Sequence, residues 1–219
     1  NLNLELNIFF SYTLSLLWIV GLVNAFNWLD GLDGLAAGAS IILAITLTVI
    51  TIINSNYELA IFGIILIGIC TAFLFYNRYP SKIIMGDGGS NLLGFLFSAI
   101  TLIATTNDIQ FTNLVYATLI LIIPIGDMFF VILNRIRKGH SPFYPDRNHL
   151  HFRLINIGFK HKQSVNQMYI FFIFTSLISI YFQTSIFNKS LLIIFTLPMI
   201  LNFYINRKRY RLVFDLRKN

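Results

Sequence analysis

The residues able to do chemistry in this chain fall into three groups. The first is Asn24-Ala-Phe-Asn27-Trp-Leu-Asp30-Gly-Leu-Asp33-Gly34. Asn24, Asn27 and Asp30 are spaced by three, which places them on one broad face of a helix. Gly31 and Gly34 let the chain bend so that Asp33 can turn toward the same side. Such a face offers oxygen ligands to Mg²⁺, and its spacing is not that of an EF-hand calcium loop. A pair of ordinary Asp-Gly turns is the structural alternative.

The second group is Met85-Gly86-Asp87-Gly88-Gly89-Ser90. It lacks the lysine and the spacing of a Walker A loop, which argues against a nucleoside triphosphatase. Glycines around an aspartate permit close backbone approach to a phosphate or a metal, and Ser90 is placed to cap a following helix. The third group runs from Arg135 to Leu154 and contains Pro145-Asp146-Arg147-Asn148-His149-Leu150-His151-Phe152-Arg153. In an extended strand His149, His151 and Arg153 share one side, whereas in a helix His149 and Arg153 align as i and i+4. Either way they form a cationic, hydrogen-bond-donating patch suited to phosphate or sugar hydroxyls. The histidines have no cysteine or carboxylate companions at zinc-finger or HExxH spacing. Asp127, in an apolar run after Pro124 and Gly126, is either a functional acid or a structural partner for an arginine or a helix end.

Something must hold these groups together, and composition says what. Of the 219 residues, 56% are hydrophobic and only 11% charged, with a mean hydropathy of +0.72. A soluble domain of this size cannot hide that much apolar surface. Lipid is therefore the solvent for most of the chain. The net charge of +7 comes from basic residues flanking apolar runs, which fits a membrane surface and excludes nucleic acid as a partner. Cys70 is a lone cysteine in an apolar run, so there is no disulfide framework.

Seven segments approach the ~20 residues needed to cross a bilayer: 7 to 25, 34 to 53, 59 to 76, 90 to 106, 113 to 134, 167 to 183 and 190 to 205. None alternates polar and apolar positions as a membrane β-barrel does. The expected fold is an all-α, polytopic helical bundle forming one transmembrane domain. Threading these spans puts fifteen of the sixteen Lys and Arg residues on one side and Lys189 alone on the other. The positive-inside rule then makes the C-terminus cytoplasmic. Asp30, Asp33, Asp87 and Asp146 fall on the basic side, while Glu5, Glu58 and Asp108 fall outside. Carboxylates gathered at a lipid boundary need a partner, and a divalent metal is one. Spans two and four both start on this side, so their N-terminal ends favour a shared anion between them.

The stretches NAFNWLDGLDGLAAG (24 to 38), MGDGGSNLLGF (85 to 95) and PIGDMFFVILNRIRKGHSPFYPDRNHL (124 to 150), running on into HLHFRL (149 to 154), resemble the polyprenyl-phosphate N-acetylhexosamine-1-phosphate transferases. This superfamily also includes phospho-MurNAc-pentapeptide transferase. The HLHxRL form after Pro-Asp-Arg looks more like the UDP-GlcNAc branch that primes O-antigen, enterobacterial common antigen or teichoic acid. The resemblance implies transfer of GlcNAc-1-phosphate from a UDP-N-acetylhexosamine to undecaprenyl phosphate, with release of UMP, on the cytoplasmic face of a bacterial inner membrane. It implies Mg²⁺ as the cofactor, with Mn²⁺ an alternative, and leaves a homodimer open. By the same resemblance Asp87 is the principal metal ligand and Asn27 a second. Asp30 lines the phosphate and ribose pocket, Asn24 belongs to the substrate face, and Asp33 helps hold the uracil. His149, His151 and Arg153 bind the diphosphate or the sugar.

Two departures stand out. Phe152 occupies a position where the family often has histidine, and the adjacent Asp-Asp pair of the family's N-terminal part does not occur. Because the chain opens on Asn1 and shows no signal-peptide pattern, it reads as an N-terminally trimmed member. The competing readings are a noncatalytic remnant of the same fold and a membrane transporter, which would line a path through the bilayer with polar residues.

Overall fold

The computed structural model describes residues 8–106 and 118–183, and these are helical with no strand among them. In chain order the helices are α1 (Ile8–Leu29), α2 (Leu35–Ile53), α3 (Tyr57–Asn77), α4 (Gly86–Thr106), α5 (Ile122–Arg137), the short α6 (Leu150–Asn156) and α7 (His161–Gln183). Helices α1 to α4 and α7 are long and apolar enough to cross a membrane. The chain is an all-α polytopic membrane protein. The expected span at 190 to 205, the start of the one at 113, and the C-terminal tail lie outside the described residues.

Helix α2 sits at the centre. Leu35, Ala36, Ala37, Ala39, Leu43, Ala44 and Leu47 are all buried, and its small side chains let α3 and α7 lie close along it. The hydroxyls of Thr46, Thr48 and Thr51 donate to the carbonyls of Ile42, Ala44 and Leu47 four residues back, which satisfies these three polar groups in apolar surroundings. Helix α3 starts on Asn56, whose side chain accepts from the Leu59 N–H at 3.2 Å. It turns Leu59, Leu66 and Cys70 inward and leaves Ile61, Ile65 and Ile69 exposed. An exposed isoleucine stripe of period four is a lipid-facing surface.

Helix α1 packs on α4 and α5. Phe26 stacks on Phe97 at 5.1 Å, and the Trp18 indole N–H donates to Thr101 Oγ1 at 3.1 Å. The bundle thus has two halves, α1 with α4 and α5, and α2 with α3 and α7. The Asp30–Gly34 turn passes between them. Gly34, at φ +80°, takes the left-handed conformation that starts α2. Its N–H donates to Asn77 Oδ1 at 3.0 Å, and its carbonyl accepts from the Tyr169 hydroxyl at 2.6 Å. The turn is thereby tied to both α3 and α7.

Three helix limits differ from the apolar runs. Helix α1 continues to Leu29 rather than ending at 25, so Asn24 and Asn27 lie within it. Helix α4 begins at Gly86 rather than 90, and α7 begins at His161 rather than 167. In α4 and α7 glycine and polar residues extend the helix beyond the apolar run, whereas α1 gains Phe26, Asn27, Trp28 and Leu29. Ser90 is consequently not a cap: its hydroxyl lies inside α4 and donates to the Gly86 carbonyl at 3.0 Å.

Candidate functional site

All three groups of residues meet at one end of the bundle, around the α1–α2 turn. Asn27 Nδ2 donates to Asp87 Oδ1 at 3.0 Å and to Ser90 Oγ at 3.2 Å, joining the first group to the second across the α1–α4 contact. Asp30 follows on the same side. Burial, and then the nearby charge of Asp87, push its carboxyl above the usual range, while the Gly86 N–H works in the opposite direction and Asp33 adds a smaller upward push. The N-terminus of α4 therefore already faces a carboxylate, a partner that occupies part of the anion site expected there. Asn24 does not join this set, because its amide donates at 2.7 Å to the Val20 carbonyl of its own helix.

Asp33 points the other way. Its Oδ2 accepts from the Ser81 N–H at 3.1 Å, and its own N–H donates to His161 Nε2 at 3.2 Å. Tyr79 stacks on His161 at 4.4 Å. Beside them is a cleft of about 610 Å³ lined by Asp33, Arg78, Tyr79, Lys82, His161 and Lys162, among others. Asn77 supports the cleft wall from behind, donating from Nδ2 to the Ile83 carbonyl at 2.9 Å. His161 and Asn77 escaped the sequence reading, since each lies in a run of ordinary polar residues and only the fold brings it to the turn.

The third group packs on the first. His149 precedes α6, which begins at Leu150, so the helical alternative is the one adopted. A Cβ built on Gly31 would stand 3.0 Å from His151 Cε1, which explains why a glycine must sit there. His151 is fully buried, and neither ring nitrogen has a hydrogen-bond partner among the described residues. Burial pushes its pKa down to about 4. Burial thus disfavours a charge on His151, and the permanent positive charge of the HLHxR run is that of Arg153. The His149 ring is tilted by 51° against Trp28 with centroids 5.3 Å apart, and the Arg135 guanidinium lies over the Trp28 ring at 4.9 Å. Arg135 also pairs with Asp146 at 3.0 Å. Burial opposes the Asp146 charge, but the bonds from Arg135 and Asn148 outweigh it and hold the carboxyl below the usual range.

Asp127 meets both a helix start and basic side chains: Oδ2 lies 2.9 Å from His149 Nδ1, Oδ1 accepts from the Leu150 N–H at 2.7 Å, and Arg153 is 4.0 Å away.

What this end of the molecule could hold follows from its donors. Asp30, Asp33 and Asp87 bring repelling negative charge together, and Asn27 supplies a neutral amide. Among the described residues no set of three His, Cys, Asp or Glu side chains converges closely enough to cage a metal by itself. A hard oxygen set built on one carboxylate suits Mg²⁺, which keeps several waters and leans on substrate phosphates. The donor types present are compatible with that group, and Asp87 and Asn27, in contact at 3.0 Å, are residues that could hold it.

Comparison with known proteins bears on the family. Residues 1–105 match glycosyl transferase family 4. The Bacillus subtilis (strain 168) protein named "Probable undecaprenyl-phosphate N-acetylglucosaminyl 1-phosphate transferase" is 37% identical over 187 residues, covering 85% of this chain and 52% of that protein. A decaprenyl-phosphate N-acetylglucosaminephosphotransferase of Mycobacterium leprae (strain TN) is 35% identical, covering 73% of this chain and 45% of the relative. An undecaprenyl-phosphate alpha-N-acetylglucosaminyl 1-phosphate transferase of Yersinia pestis is also 35% identical, covering 71% and 44%. The chain spans about half the length of the curated relatives it matches. With its motifs in register and meeting at one site, the chain belongs to glycosyl transferase family 4.

Proposed function

We propose that this chain carries the substrate-binding face of a sugar-1-phosphate transferase that moves GlcNAc-1-phosphate from UDP-GlcNAc to undecaprenyl phosphate and releases UMP. A phosphate oxygen of the lipid attacks the β-phosphorus of the UDP-sugar. The new oxygen–phosphorus bond forms as the bond from the β-phosphorus to the bridging oxygen breaks, and that oxygen leaves with UMP. In this reading the reaction takes place at the basic end of the bundle, on the cytoplasmic face of a bacterial inner membrane, and the positive-inside rule supports that orientation.

One observation carries the reading: residues of three separate motifs, Asn27 with Asp87, Asp30 beside Gly86, and Gly31 under His151, meet around a single turn. Asp87 and Asn27 would hold Mg²⁺, which when bound neutralises diphosphate charge and stabilises the departing UMP. The nucleotide end is assigned to the cleft beside Asp33, where Arg78, Lys82 and Lys162 balance phosphate charge and Asp33 helps fix the uracil. His149, His151 and Arg153 bind the diphosphate or the sugar.

The transporter alternative asks for polar residues along a path through the bilayer, whereas here they gather at one end and Asp127 is engaged there by His149. The test is release of UMP from UDP-GlcNAc by membranes bearing the longest form of the protein its gene encodes. Turnover that needs both undecaprenyl phosphate and Mg²⁺ supports the reading. Turnover without the lipid, or none with any UDP-N-acetylhexosamine, rejects it.

A further inference from the structure

We infer that Asp127 is a positioning residue for substrate binding, acting through His149 and Arg153; this rests on the transferase reading above. Asp127 sits in the second turn of α5, and its side chain is only 10% exposed. Its two oxygens have separate tasks. Oδ1 accepts from the Leu150 N–H at 2.7 Å, which satisfies one of the free donors at the start of α6 and fixes where that helix begins. Oδ2 meets His149 Nδ1 at 2.9 Å. An ionised carboxylate only accepts, so Nδ1 must carry the proton, and Nε2 is the atom His149 has left for a ligand.

Arg153 is held by the same helix. Its guanidinium lies 4.0 Å from Asp127 Oδ1, and its central carbon is 4.0 Å above the Phe130 ring one turn further along α5. Two turns beyond Asp127, Arg135 grips the loop from residue 138 to 149 by its other part, donating to the Pro142 carbonyl at 2.6 Å and to Asp146 at 3.0 Å. Helix α5 is thus a frame that grips the loop, and Asp127 is the contact that sets the tautomer of His149 and the aim of Arg153. A carboxylate facing two cationic or donating side chains repels a diphosphate, so Asp127 acts through them and does not bind the nucleotide itself.

The experiment is a double-mutant cycle on the longest form of the protein, combining Asp127→Asn with His149→Gln and measuring UDP-GlcNAc turnover against both substrates. Asparagine can still accept from Leu150 but loses the charge that orders His149. The expected result is a fall in kcat/KM for UDP-GlcNAc of about 30-fold, an unchanged KM for undecaprenyl phosphate, and an effect of Asp127→Asn that shrinks to about fivefold or less once His149 is replaced, the remainder being the share carried by Arg153. Asp127→Glu, which keeps the charge, recovers part of the loss and serves if the asparagine variant folds poorly. Kinetics within twofold of wild type, or equal losses with and without His149, overturn the inference. Amide exchange supplies a readout independent of turnover: Asp127→Ala should speed exchange in a peptide spanning residues 149 to 153 by tenfold or more, and unchanged exchange there would also overturn it. An inactive wild type with the expected exchange pattern rejects the transferase reading but not the clamp.

Discussion

His151 makes the protein sensitive to acid in a way that can be sized in advance. Its ring is fully buried against Gly31, without a hydrogen-bond partner among the described residues, and its pKa falls from 6.5 to about 4. Between those values the unfolded chain holds a proton that the folded chain refuses, so stability rises with pH across the window and falls as the solution is acidified through it. Each pH unit below the unfolded value removes about 1.4 kcal/mol, so the loss on moving from neutral to about pH 5 is ~2 kcal/mol. For a chain of this size that corresponds to roughly 4–8 °C in Tm. Other groups titrate in the same range, so the relevant quantity is a difference. Thermal unfolding of detergent-solubilised wild type and His151→Gln should be compared from about pH 7.5 down to about pH 5. The wild type should lose several degrees more than the variant over that interval. Parallel curves would refute the argument, and would mean that His151 gains a proton or a partner in the folded protein.

Three further outcomes follow from the same geometry. Gly31→Ala should lower stability by about 1–3 kcal/mol and impair turnover, because its methyl group must displace the His151 ring; the same change at Gly88, where nothing lies within 4 Å of a built Cβ, should leave the thermal midpoint nearly unchanged. Arg135→Ala should destabilise by about 3–5 kcal/mol, since it strands the half-hidden Asp146 carboxylate and uncovers Trp28; chemical denaturation in mixed micelles reads this directly. Asn56→Ala should cost about 1 kcal/mol through loss of the α3 cap while leaving substrate affinities untouched, which separates fold from site.

Much of this architecture is legible in the sequence because hydrocarbon imposes a simple demand. The run at 34 to 53 is α2 to within one residue, and 59 to 76 lies inside α3. Two of the departures share one cause. Hydropathy marks where lipid begins, whereas a helix begins where its first hydrogen bonds form, so the apolar runs stop short of Gly86–Gly89 and His161–Asn166, the opening turns of α4 and α7. The site was legible as three motifs but not as a set of contacts. Nothing in the spacing says that Asp33 reaches His161, 128 positions away, or that Tyr169 ties down Gly34 across 135. Asp127 was visible only as an acid in an apolar run, and its meaning required knowing that α6 starts beside it. The burial that disfavours a charge on His151 is likewise invisible in a sequence, which shows residue type alone.

The central claim is that a phosphate travels with the sugar. UDP-GlcNAc labelled with ³²P at the β-position, supplied with undecaprenyl phosphate and Mg²⁺ to membranes carrying wild-type protein or Asp87→Asn, distinguishes the possibilities in one extraction. Label passing into the organic phase with wild type, and falling by about a hundredfold or more with the variant, is the expected result. Label remaining wholly aqueous while the sugar itself becomes lipid-linked would contradict the account, as would transfer that is indifferent to Asp87.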